Sequence, residues 1–420
     1  MKIKLVTFAP HPNYGTCLQS YALNKVLTKM GHDVEFIYNG RENPPVSLKK
    51  TVKILIKHLL PSTIVNLIKE HKVKNKIRNI DQKEQTLSIL FLPNNYIHYF
   101  LSLLPFYQLL YKKCTCRTLQ KKKVFAFAYE DGNYKMRRLF IKRHYTEVVK
   151  DADLFITGSD QIWNPYCGGF NPMMFLEFAG NKKRIAYASS IALPEFPVVL
   201  KERIKKDLLK FSHIGVREAN SVPMLQNLLN RQDVIQVTDP TYLLSCEEWA
   251  KFGEKAVIEF DIPDKYIFCY FIGKTRTEDY QEMVENVKRK TGIQRVITMN
   301  CTTNNINVGQ DIFYKDGGPY EFVYLLTHAS YVCLDSFHGT VFSLKFSVDF
   351  VHILKYADNN QINSQNSRMY DMLNRYGILY KLYNKNNDEW MKPVNFEKVH
   401  SLMEREKLSS LHYLVNAINN

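Results

Sequence analysis

Short apolar runs that stop at polar, glycine-containing turns recur along this chain. The first is Ile3-Lys4-Leu5-Val6-Thr7-Phe8. A helical pattern follows over Leu18–Met30, Gly31-His32 closes it, and Asp33-Val34-Glu35-Phe36-Ile37-Tyr38 reads as the next strand, a βαβ opening. Regular order lapses after Arg41 and resumes at Ala152–Thr157. Strands at Arg184–Ala188, His213–Val216 and Val234–Val237 then extend what should be one mostly parallel sheet. The second half repeats the style. Strands are predicted at Tyr266–Phe271, Arg295–Thr298, Ser330–Leu334 and Val348–Ile353. Helices are predicted at Asp279–Lys290, Pro319–His328, Arg368–Tyr376 and Phe396–Ala417. The pattern predicts two Rossmann-like, doubly wound α/β domains facing each other across a cleft. They are residues 1–245 and 246–390, with 391–420 a C-terminal helix free to cross back to the first domain. Ligands of such sheets bind in the crevice at the carboxyl ends of the strands.

The turns at those strand ends carry the chemistry. The most informative is Asp335-Ser336-Phe337-His338-Gly339-Thr340, between a buried strand and a helix. It sets an imidazole beside the backbone N–H groups of a helix N-terminus, a place that favours an anion. The competing reading is a histidine that only caps or packs the turn. The first βα turn carries Asn13-Tyr14-Gly15-Thr16, where Gly15 lets backbone approach a ligand and Asn13 or Thr16 caps the helix. It lacks the full GxGxxG of a dinucleotide site.

After Phe155-Ile156-Thr157 comes Gly158-Ser159-Asp160-Gln161-Ile162-Trp163. Asp160 and Gln161 suit sugar hydroxyls, and Asp160 suits a base; a helix N-cap is its plainer role. Trp163 offers a stacking face for a sugar ring or packs in the core. Arg217 ends an apolar strand, where a guanidinium binds phosphate or carboxylate two-pronged, or else pairs with Glu218 among surface charges. Asp239-Pro240-Thr241 ends the next strand, and Lys355 and Arg368 are further cations near the second-domain turns.

Composition changes the picture at one place. Hydrophobic residues make up 45% and charged residues 23% of 420, a globular balance with ample core. The net charge is +16, yet residues 41–150 hold 23 Lys/Arg against 7 Asp/Glu, so the whole excess lies there. The segment reads as a basic, partly amphipathic helical insertion in the first domain. Leu87–Tyr111 is apolar and aromatic but interrupted by Pro93, His98 and Pro105, a poor spanning helix. An anionic membrane surface is the partner this charge suits, with a flap folded on its own domain as the alternative. Basic charge alone is a weak nucleic-acid signal, and no nucleic-acid partner is expected. No signal peptide is visible, so a cytoplasmic protein is expected, with peripheral contact at the inner face of the membrane through 41–150. The eight cysteines are scattered, and neither disulfides nor a metal site is expected.

Taken in order, these motifs resemble the polysaccharide pyruvyl transferases. The resemblance rests on Asn13-Tyr14-Gly15 with Leu18–Leu23, Ile156–Asn164, Val216-Arg217-Glu218 with Ser221, Asp239-Pro240-Thr241 and Asp335–Thr340. It covers most of the chain outside the insertion. It implies a fold like that of the GT-B glycosyltransferases, phosphoenolpyruvate as co-substrate and donor with no cofactor, and a cell-surface sugar or lipid-linked oligosaccharide as acceptor. On it, Arg217 and His338 bind the donor with Ser336, Gly339, Thr340, Lys355 and Arg368. His338 also serves as general acid and Asp160 as base, while Asn13, Tyr14, Gly15, Gly158, Ser159, Gln161 and Trp163 line the acceptor side or the cleft. The family carries a basic residue two places before its histidine, where this chain has Ser336; Lys355 or Arg368 is then the replacement. A nucleotide-sugar glycosyltransferase of the same architecture, or a non-catalytic membrane-associated member of the family, is the alternative.

Overall fold

The computed structural model describes residues 1–8, 13–39, 118–139, 142–167, 169–273, 276–299, 306–356 and 365–420. Most of the basic insertion, including Leu87–Tyr111, therefore lies outside the described residues. The chain divides into two compact units. The first is Met1–Ala9, Asn24–Gln236 and Leu414–Asn420; the second is Pro10–Leu23 and Val237–Tyr413. The division falls after Gln236. The start of the first helix is grouped with the second unit, and the end of the last helix with the first.

The first unit holds seven parallel strands: β1 Lys2–Val6, β2 Asp33–Asn39, β3 Met136–Leu139, β4 Leu154–Thr157, β5 Lys183–Ser189, β6 His213–Val216 and β7 Ile235–Gln236. Their order is β3-β2-β1-β4-β5-β6-β7, so the winding reverses between β1 and β4. Every residue of β4 is buried, as expected of a parallel strand covered on both faces. Among the described residues up to β7 the α-helices are α1 Tyr14–Lys29, α2 Leu119–Phe125, α3 Lys142–Asp151, α4 Val198–Leu208 and α5 Ser221–Leu229.

β3 and α3 correct the sequence reading, which found no regular α/β order between Arg41 and Ala152. Met136-Arg137-Arg138-Leu139 does not read as a strand because two of its four residues are arginines. The charge of Arg137 is matched by carboxylates of other elements. Lys4 on β1, 1% exposed, reaches Glu35 on β2 (2.6 Å) and Asp151 at the end of α3 (2.6 Å), and Arg137 Nε reaches the other Glu35 oxygen (2.9 Å). Opposite charges on neighbouring strands replace the apolar contacts that a sequence pattern registers.

The second unit is a five-stranded parallel sheet of β8 Ile267–Tyr270, β9 Val296–Met299, β10 Ile312–Tyr314, β11 Tyr331–Leu334 and β12 Phe350–His352. Its order, β10-β9-β8-β11-β12, reverses between β8 and β11. The helices are α6 Cys246–Gly253, α7 Thr277–Thr291, α8 Pro319–Thr327, α9 Phe337–Lys345, α10 Ser367–Arg375 and α11 Phe396–Asn419. α6 starts at a reciprocal cap: Glu248 N–H donates to Ser245 Oγ (3.2 Å), and Ser245 N–H donates to Glu248 Oε2 (2.9 Å). α7 has Glu278 and Asp279 in its first turn and three basic residues in its last, in line with its dipole. In α9 every residue is buried.

Candidate active site

β11 delivers its chain to the reversal point of the second sheet. There Asp335 ties the strand ends together: its carboxylate accepts from Ile272 N–H (2.6 Å), Gly273 N–H (2.7 Å) and the Tyr280 hydroxyl (2.7 Å). Burial pushes the Asp335 carboxyl up, and these donors and the Lys355 charge oppose the rise. Ser336 is extended and caps α9, its Oγ accepting from Gly339 N–H (3.2 Å). Its hydroxyl therefore has a cap's role. Thr340 is buried; its Oγ1 donates to Ser336 O (3.0 Å) and accepts from His352 Nδ1 (3.0 Å). Ser336, Gly339 and Thr340 thus shape the turn through their own contacts.

His338 is the second residue of α9, and its side chain is 7% exposed. Its Nε2 makes no hydrogen bond to protein and stands 3.4 Å from Asp239 Oδ2. Asp239 is buried, and its other oxygen accepts from Thr241 N–H (3.0 Å) and Thr241 Oγ1 (2.8 Å). One oxygen is thereby fixed in the turn while the other faces the imidazole. On the Nδ1 side lies Gly15. A Cβ on Gly15 would sit 2.1 Å from His338 Nδ1 and 2.5 Å from Cγ, so only glycine fits. The backbone approach expected of Gly15 is made to this imidazole. Tyr14 next to it is an anchor: it is buried, donates to Gly317 O (2.8 Å) and stacks on Phe322. Asn13 caps α1, its side chain accepting from Thr16 N–H at 3.4 Å.

Both cations expected to compensate for Ser336 belong to this end of the second unit. The Arg368 guanidinium lies 5.9 Å from the ring of Phe337, the residue before His338. Burial, and then the Arg368 charge, hold the His352 imidazole down to about 3. Lys355 lies 5.3 Å from the Tyr356 ring and acts on Asp335.

In the first unit, the turn after β4 sits at the reversal point of its sheet. Gly158 has φ +119°, and a Cβ there would lie 2.0 Å from Tyr187 O of β5. Ser159 Oγ donates to Ala188 O (2.8 Å), and Gln161 Oε1 accepts from Asn164 Nδ2 (3.1 Å). Asp160 is 8% exposed in a left-handed conformation (φ +69°). Its Oδ1 accepts from Gln161 N–H (2.9 Å), and its carbonyl accepts from Ser190 N–H (3.0 Å). A bend and turns follow it, so it caps no α-helix. Trp163 takes the core role: it is 1% exposed, stacked on Phe175, and donates to Met174 O (3.1 Å).

Arg217 and Glu218 are not surface charges. They are 3% and 2% exposed, with Arg217 Nε 3.2 Å from Glu218 Oε1 and Nη2 3.0 Å from Ser190 Oγ. Ser190 also donates to Glu218 (2.5 Å). Through Ser190 the turns bearing Asp160 and Arg217 meet at one edge of the first sheet. Asp239 and Ser190 are the residues that sequence reasoning passed over as site members. An Asp-Pro-Thr after an apolar strand signalled the first; nothing in the sequence signalled the second.

The profile of the polysaccharide pyruvyl transferases matches residues 13–354. The chain belongs to this family. The match runs from the Asn13 turn past His338 to β12, so the motif turns of both units lie within it. No curated protein matches the chain in sequence. Among solved structures, similar ones include a Listeria monocytogenes protein described as a UDP-N-acetylglucosamine 2-epimerase, at 10% identity and TM-score 0.43, covering 99% of this chain and 91% of that one. The glycosyltransferase SsfS6 of Streptomyces sp. SF2575 is 11% identical at TM-score 0.41, with 100% of both chains covered. UGT89C1 of Arabidopsis thaliana is 10% identical at TM-score 0.40, covering 99% of this chain and 94% of that one. Nothing about this family member's chemistry follows from such distant likenesses. Among the described residues no group of three or more His, Cys, Asp or Glu is placed to hold a metal ion.

Proposed function

We propose that this family member transfers pyruvate from phosphoenolpyruvate to two hydroxyls of a cell-surface polysaccharide, or of its precursor sugar, as a ketal. The observation that carries the reading is the His338 imidazole. It is buried in the first turn of α9, without a hydrogen bond at Nε2 and facing a fixed carboxylate. A structural histidine in so dry a place normally finds a partner for its ring nitrogens; catalytic hydrogen bonds often close only when substrate arrives.

The chemistry balances without a further reagent. His338 gives a proton to the donor's methylene carbon, which becomes the methyl group. One acceptor hydroxyl adds to the neighbouring carbon, the carbon–oxygen bond to phosphate breaks, and the second hydroxyl closes the ketal. Of the two hydroxyl protons, one restores His338 and the other leaves with inorganic phosphate. Asp239 holds the ring and balances its charge. Arg368 and Lys355 bind the donor's anionic groups in place of the cation absent at 336, and Arg217 is a further candidate anion ligand. Asp160 takes one of these hydroxyl protons and hands it on to the departing phosphate. The helix N-terminus at α9 favours the departing phosphate.

The full-length protein, given phosphoenolpyruvate and a panel of sugars, should release one phosphate for each acid-labile pyruvate added. His338→Ala should lower that rate by about 10²-fold or more. Sugar transfer from a nucleotide-diphosphate sugar, with phosphoenolpyruvate inert, would overturn the reading.

A further inference from the structure

A cavity of about 660 Å³ in the second unit is left unused by this chemistry. Sites for organic ligands occupy about 300–1,000 Å³. Tyr356, Tyr370, Tyr380 and Tyr383 line it, each half-buried. Two of these rings are fixed through their hydroxyls. Tyr383 accepts from Asn286 Nδ2 (2.5 Å), and Tyr380 donates to Pro393 O (3.1 Å). Burial pushes both hydroxyls up, so the rings stay neutral.

The rest of the wall is polar and mixed in sign. Asn384 and Asn386 expose their amides, and Glu282 adds a carboxylate. Arg276, the guanidinium on the wall, is engaged by Asp279 (2.7 Å) and by Leu354 O (2.6 Å). Lys385 is the other cation on the wall, against the carboxylates of Asp279, Glu282 and Glu389, so a phosphate would meet more negative than positive groups, and a lipid chain would leave amides and carboxylates unpaired. A ring with C–H faces and a rim of hydroxyls satisfies both parts of the wall: the faces lie on tyrosines and the hydroxyls meet amide and carboxylate.

The cavity also lies at the working end of the sheet. Ile353 on its wall donates its N–H to Leu334 O (2.9 Å), and Leu334 is the last residue of β11, four before His338. We propose that this cavity is a saccharide subsite that holds sugar units of the acceptor chain remote from the reacting hydroxyls. The assignment of the sugars to an acceptor rests on the transferase reading; the binding of sugar does not.

The test is saturation-transfer NMR and titration of the full chain with cellohexaose, maltohexaose and laminarihexaose, without phosphoenolpyruvate. At least one should bind, and bind His338→Ala equally well. Tyr356→Ala should weaken binding about tenfold, and Tyr356→Phe, which keeps the ring, should retain it. Asn384→Ala, an exposed change, should also weaken binding in a folded protein. The subsite is refuted if no hexasaccharide binds, or if Tyr356→Ala and Asn384→Ala both bind like the parent. Glycan binding without phosphoenolpyruvate turnover would remove the transferase reading and leave the subsite; turnover without glycan binding would do the reverse.

Discussion

At the scale of single residues, the site is defined by what stands on either side of one imidazole. Gly15 leaves no room for a Cβ against Nδ1, and Asp239 faces Nε2. A methyl group at position 15 must displace the ring, because the nearest atoms are its own. We therefore expect Gly15→Ala to cost activity on the scale of His338→Ala while the protein stays folded. Asp239→Asn should lower kcat with little change in KM for phosphoenolpyruvate. Steady-state kinetics beside circular dichroism would check both, and normal kcat in Gly15→Ala would show that His338 does not need its present position. The strand–turn–helix setting of His338 was legible in the sequence. Its partner was not, since Asp239 is distant in sequence and a pairing across such a distance has no local signal.

At the scale of elements, β12 carries a buried titratable group whose cost can be measured. His352 is held down to about 3 from an ordinary 6.5. Between those values the unfolded chain takes up a proton that the native chain refuses. Stability is thus fully present above 6.5 and declines as pH falls toward 3, with a slope approaching about 1.4 kcal/mol per pH unit. His352→Asn should flatten that dependence, as read from urea midpoints at a series of pH values. Equal slopes in parent and variant would mean that His352 is not neutral in the native state. Elements with plain apolar patterns, such as β4, β8 and β11, could be read from sequence. β3 could not, because Arg137 is neutralised by Glu35 and Asp151 from other elements and Arg138 turns to the hydroxyls of Tyr38 and Tyr129.

At the scale of the whole molecule, charge is the dominant asymmetry. The excess of 16 basic residues is confined to 41–150. No helix among the described residues is long and apolar enough to cross a membrane. The basic excess of that segment suits an electrostatic association with an anionic surface. We expect the protein to float with phosphatidylcholine vesicles containing phosphatidylglycerol, to ignore pure phosphatidylcholine, and to be released by salt, which shortens the screening length to about 3 Å at 1 M. Flotation that salt does not reverse would contradict this account.

By itself the sequence determined the class of fold, most strands and helices, the candidate turns at the strand ends and the family. Those depend on periodicity, on glycine and proline, and on short contiguous motifs, all of which are local. The tertiary structure alone decided that Ser336 is a cap, that Trp163 belongs to the core, that Glu218 and Ser190 enclose Arg217, and that Gly15 and Asp239 flank His338. Each of these depends on which distant side chain fills the space beside a residue, and the packing of the folded chain sets that.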